Sequence, residues 1–98
     1  IVDDQFPQVM DKIEAAISDI GGASVEYAAN THWHFAHAEG NNALGPKGTT
    51  IVSQKNARND MAQGGIVNMV VSRYNQQPYP KQALPVLTYD DRMQIHFN

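Results

Sequence analysis

Apolar residues recur at helical spacing near the start of the chain. Phe6, Val9, Met10, Ile13, Ala16, Ile17 and Ile20 share one face of a helix of about four turns. Gly21-Gly22 is its stop signal. Asp4 reads as the N-cap, and Pro7 suits a first helical turn. Ahead of this helix, Ile1-Val2-Asp3 reads as the end of a strand. Behind it, Ala23 to Ala29 reads as the next strand, which leads through Asn30-Thr31 into a polar segment. Ala38 to Leu44 suggests a short helix and Gly45-Pro46-Lys47-Gly48 a turn. Thr49 to Ser53 is a β-branched strand. Ser53 is then the cap of a helix from Gln54 to about Gln63, ended by Gly64-Gly65.

The remaining pattern is less regular. Ile66 to Val71 is apolar and fits a helix or a strand equally. Asn75 to Pro80 is polar and proline-bearing, which predicts a surface loop. Pro85 to Thr88 and Arg92 to Phe97 read as two strands of a hairpin turning at Asp90-Asp91. The predicted order is β-α-β-β-α with a C-terminal hairpin, an α/β fold with parallel pairing and right-handed crossovers. No repeat or internal boundary divides it, so residues 1–98 are expected to form one domain. The chain opens and closes inside strand patterns without an initiator Met, which suggests a piece of a longer protein.

Composition narrows the function. The formal net charge is -3 and Lys or Arg residues do not cluster, so nucleic acid is not an expected partner. No apolar run approaches the ~20 residues of a membrane span, and no signal peptide is visible, which leaves the compartment undetermined. Cysteine is absent, so a metal site here must use His, Asp, Glu or water.

The candidate chemistry lies in Thr31-His32-Trp33-His34-Phe35-Ala36-His37-Ala38-Glu39-Gly40-Asn41. It holds three of the four histidines of the chain, directly after a predicted strand. That is where open α/β sheets place their ligands. Neutral imidazole is the commonest metal-ligating side chain, so His32, His34 and His37 are the metal-ligand candidates. Solvated loop histidines are the bland alternative.

The run resembles the signature of the metallo-β-lactamase superfamily, Thr-His-x-His-x-Asp-His-x-x-Gly. Val2-Asp3-Asp4 before an amphipathic helix, Asn30-Thr31, Gly40-Asn41 and the glycine turn before Thr50-Ile51-Val52 match its flanks. The resemblance implies about half of an αββα sandwich with one or two zinc ions where its sheets meet. It implies a metal-dependent hydrolase whose metal-bound hydroxide attacks a carbonyl or phosphoryl centre of a small-molecule substrate. By position, His32 and His34 would ligate the first metal and His37 the second.

Two departures stand out. Ala36 occupies the place of the aspartate that ligates the second metal, and the downstream ligands of the pattern have no counterpart, since His96 lies in a strand pattern. The chain is therefore expected to be impaired or inactive. The alternative is a non-catalytic module, with a second copy or a companion chain covering its exposed sheet face. Asp3 and Asp4 are either turn and cap residues or outer-shell carboxylates that orient a ligand histidine. Trp33 and Phe35 are expected to pack beneath the loop. Glu39 reads as a solvated turn residue, with replacement of the missing carboxylate as its alternative role.

Overall fold

A computed structural model describes residues 1–97. Three parallel strands organise the chain: β1 (Tyr27–Asn30), β2 (Thr50–Gln54) and β5 (Leu87–Tyr89), in the order β1-β2-β5. Val2 extends the sheet beyond β1 through a parallel bridge to Ala29. Between the strands lie α1 (Met10–Asp19), α2 (Phe35–Ala38), α3 (Asn41–Leu44) and α4 (Lys55–Gln63). The α/β class and the parallel crossovers expected from the strand-helix alternation are thus present.

Alternation along the strands sorts the sheet into two faces. Ala28 pairs with Ile51 and Asn30 with Ser53, and all four are buried. Ala28 and Ile51 join Met10 and Leu44 in one core cluster, with Ile13 and Val25 packed against it. A second cluster of Ala38, Ala57, Met61, Tyr79 and Ala83 lies nearer the histidine run and takes in Trp33 and Leu84. On the other sheet face, Tyr27, Ala29 and Val52 meet only chain ends: Ile1, Val2, Ile95 and Phe97 line a cleft with them.

Several expectations need correction. The C-terminal hairpin predicted over Pro85 to Phe97 does not form. Leu87–Tyr89 pairs in parallel with β2, and residues 92–97 carry no strand. Their Met-Ile-Phe alternation finds no backbone partner and instead lies at the open sheet face, where the Phe97 ring meets Tyr27 edge-on. The hairpin is earlier, between β3 (Gly65–Asn68) and β4 (Arg73–Gln76). Of the ambiguous apolar run, Ile66 to Asn68 is strand and Met69 to Val71 belongs to the turn, and a paired strand replaces the start of the predicted 75–80 loop. Gln54, not Ser53, caps α4, its side chain accepting from the Asn56 N–H. Asp4 does not cap α1, which begins behind a 3₁₀ turn at Pro7–Val9 with no side-chain cap. The far end of the α1 apolar face is uncovered, with Ile20 86% exposed.

Candidate metal centre

Asp3 organises the histidine run. Its backbone sits in the left-handed region at φ 53°, which Asp tolerates better than most residues and which still costs about 1 kcal/mol or more. Backbone bonding to the Ala29 carbonyl holds it at the end of β1, as the Asp3 N–H donates at 2.8 Å. From there the carboxylate receives the Thr31 N–H at 2.8 Å and the Thr31 hydroxyl at 2.9 Å, and it meets His37 Nδ1 at 2.9 Å. Partial burial works to raise the Asp3 pKa. The bonds from Thr31 and His37 outweigh it and hold the group below its usual value, so Asp3 is ionised at neutral pH.

This charge settles two tautomers. An ionised carboxylate only accepts, so His37 carries its proton on Nδ1 and leaves Nε2 bare when neutral. The Thr31 hydroxyl donates its hydrogen bond to Asp3, so at 2.9 Å it accepts from His32 Nδ1–H. His32 therefore also presents a bare Nε2. Its pKa is lowered by partial burial and by the neighbouring His37 and His34, which favours the neutral ring.

The three rings gather around His32, with centroids 4.8 Å from His34 and 4.1 Å from His37. His34 stands at the N-cap of α2 and His37 in its last turn. Ala36, between them, is half-buried and carries no acceptor. Asp4, the next residue along from Asp3, is fully buried, and its N–H holds the His37 carbonyl at 2.9 Å. Burial, aided by the Asp3 charge, pushes its carboxyl up to about 7, although the nearby Asn30 side chain pulls the other way. Gly40 makes room for it, since a Cβ there would lie 2.8 Å from the Asp4 carboxyl carbon.

A catalytic zinc takes three protein ligands and a water. Among the described residues, no group of three or more His, Cys, Asp or Glu side chains is arranged to hold a metal ion. His32, His34 and His37 are brought together, yet without a carboxylate at position 36 they do not by themselves fit zinc. Glu39 caps the end of α2 and joins no such group. His96 is exposed and belongs to residues 92–97, in no strand.

Sequence reasoning found the histidines and Asp3, but it missed Gln76. This buried β4 side chain donates to the Trp33 carbonyl oxygen at 2.7 Å, and nothing in its polar surroundings in the sequence signals burial. Trp33 and Phe35 pack as expected: Trp33 against the second core cluster, Phe35 against Phe6 and Tyr74.

No protein-family model matches the chain, and no curated protein sequence does. Solved structures do match. A metallo-β-lactamase of Cronobacter sakazakii, described by its HARLDQ motif, superposes on 98% of the chain with a TM-score of 0.75 and 22% identity. A B3 metallo-β-lactamase with an active-site glutamic acid matches at TM-score 0.70 and 18% identity over 96% of the chain. A subclass B3 enzyme from a soil metagenome library matches at 0.61 and 19% over 93%. The chain is built on the metallo-β-lactamase fold. It spans little more than a third of these structures, 37%, 37% and 34% of their lengths respectively. No described helix is long and apolar enough to cross a membrane.

Proposed function

We propose that this chain carries the histidine loop of a metal-dependent hydrolase of the metallo-β-lactamase superfamily, acting on a small-molecule substrate, and that as it stands it is inactive or impaired. The observation that carries the reading is the Asp3 network. One carboxylate holds His37 directly and His32 through Thr31, each through Nδ1, so that the neutral rings turn their Nε2 lone pairs outward, as an imidazole must to accept a cation. A carboxylate behind a ligand histidine also raises its basicity. The impairment follows from Ala36, which contributes neither charge nor lone pair where the resemblance expects both.

The likeness to the Cronobacter enzyme supports this in one respect. Its HARLDQ motif has one histidine and one aspartate, whereas the six-residue run from His32 to His37 has three histidines and no carboxylate. Runs of different donor composition thus occur on one fold.

Zinc titration of the chain by calorimetry tests the proposal. Ala36→Asp is expected to tighten zinc binding by about tenfold or more, and Asp3→Asn to weaken it by about tenfold. Zinc affinity that ignores both changes would overturn the reading.

The open sheet face favours a second reading, a module that associates through it. Val2 is 70% exposed and Phe97 66%, and together with Tyr27, Ala29, Val52 and Ile95 they border an apolar cleft of about 250 Å³. Light scattering over a concentration series separates the two: a dimer that Val2→Lys dissolves supports the module, and a monomer at all concentrations removes it.

A further inference from the structure

Imidazole and aromatic side chains alternate along the run, and the rest of the fold grips the aromatic ones. Asp3 governs His32 and His37 but not His34. The residues on either side of His34, Trp33 and Phe35, are held by the β3–β4 hairpin. Gln76, 1% exposed, donates through Nε2 to the Trp33 carbonyl oxygen at 2.7 Å, and that carbonyl belongs to the peptide joining Trp33 to His34. Two residues earlier, on the same face of β4, the Tyr74 ring lies against Phe35 with centroids 4.4 Å apart. Phe35 follows His34 directly. Across the hairpin, Gly65 pairs with Gln76 and lies beside the indole: a Cβ there would reach ordinary contact, 3.4 Å from Trp33 Cη2. The residues on both sides of His34 are therefore held by one strand.

We propose that the β3–β4 hairpin is a clamp on the histidine loop, with Gln76 and Tyr74 as positioning residues for His34. It complements Asp3: the carboxylate sets His32 and His37 from the sheet edge, and the hairpin sets His34, between them in sequence, from residues 65–76. Its purpose rests on the metal-ligand reading of the three histidines. The contacts themselves do not depend on it.

The test is NMR of the imidazoles in the 98-residue chain, without metal. In the parent chain the His32 and His34 rings, with centroids 4.8 Å apart, give ring-to-ring cross-peaks, and the His34 signals are displaced by the Trp33 ring 5.3 Å away. Gln76→Met keeps the side-chain length and removes the donor. Tyr74→Ala removes the ring, and Tyr74→Phe retains it. Expected are loss of the His32–His34 cross-peaks and of the His34 displacement in Gln76→Met and Tyr74→Ala, with both kept in Tyr74→Phe. The His37 Nδ1–H signal, tied to Asp3, persists throughout, which a general loss of structure would not allow.

Unchanged His34 signals in the two disruptive variants would overturn the clamp, as would Tyr74→Phe behaving like Tyr74→Ala. Should Gln76→Met fail to fold, Tyr74→Ala decides alone, because Tyr74 is 37% exposed and its loss leaves the core intact. A zinc affinity unmoved by Ala36→Asp and Asp3→Asn sinks the proposed function and leaves these ring contacts as they are, so the two ideas fail separately.

Discussion

The two faces of the parallel sheet are finished to different degrees. Toward the helices, Ile51 and Ala28 sit against Met10 and Leu44, each at most 1% exposed. Toward the other side, Leu87 is 44% exposed and Val2 70%, and only Val52 on the central strand is buried. The sequences of the two faces are comparably apolar. The difference lies in what covers them: four helices on one side, seven residues of extended chain at 91–97 on the other. The covered face supplies cohesion, and the histidine loop is anchored at its edge. The uncovered face contributes surface and little stability.

The sharpest way to break that comparison is to truncate one leucine on each face. Leu44→Ala is expected to cost about 3 kcal/mol in unfolding free energy, the usual range for a fully buried leucine that leaves a cavity. Leu87→Ala, already half in water, is expected to cost less than about 1 kcal/mol, since little surface is returned to solvent. Urea unfolding followed through Trp33 fluorescence measures both. Equal costs would mean that the open face is covered in solution, by a second copy or otherwise.

A second difference concerns charge. The covered face buries a polar group that the open face lacks: Asp4, fully enclosed beside Asn30 and Asn41, with neither carboxyl oxygen hydrogen-bonded. Its folded pKa, pushed up to about 7 chiefly by burial, lies above the unfolded value near 3.9. The folded state therefore holds the proton more tightly between those values. The resulting stability is complete below about pH 4 and is lost as the pH rises through about 7. Asp4→Asn is expected to flatten this dependence and to gain on the parent chain by about 1–3 kcal/mol at pH 8, the usual penalty for an unsatisfied buried group. Unfolding curves at pH 5 and pH 8 measure it, and a parent chain equally stable at both would remove Asp4 from the account.

The same division explains what the amino-acid pattern revealed. Helix α1 and the strands of the covered face were legible because burial on one side imposes a period, and Gly21-Gly22 and Gly64-Gly65 mark the stops. At Gly64 the reason is local: φ is 70°, and a Cβ would lie 2.6 Å from the Gln76 carbonyl oxygen. The histidine spacing likewise survives translation into space, as does the role of Asp3 toward a histidine. Illegible were features that depend on partners distant in sequence. Strand β4 is polar and exposed except at Gln76, so only its backbone pairing with β3 makes it a strand. Residues 92–97 alternate as a strand would, yet the sheet offers them no free edge next to β2, because β1 and β5 already flank it. Asp4 resembled a cap because caps and buried acids use the same residue, and only packing tells them apart.

The effect at Asp3 is smaller than that at Asp4 and runs opposite to it, although the two residues are adjacent in the chain. Its folded pKa is depressed, because the bonds from Thr31 and His37 outweigh its partial burial. That stability is present above the unfolded value near 3.9 and is lost as the pH falls through the lower folded value. Asp3→Asn keeps the shape and one acceptor oxygen but removes the charge that draws the Thr31 hydroxyl and His37 Nδ1–H together. The expected cost at pH 7 is about 1 kcal/mol, the net worth of a hydrogen bond to a partly exposed group. Once the pH has fallen through the lowered folded value the parent chain and the variant should converge, since both are then uncharged at this position. Stability curves for the pair from pH 2 to pH 7 would show it. A gap that widens in acid would mean that Asp3 is held by packing, not by its charge, and the assignment of His32 and His37 as Nδ1-protonated rings would lose its foundation.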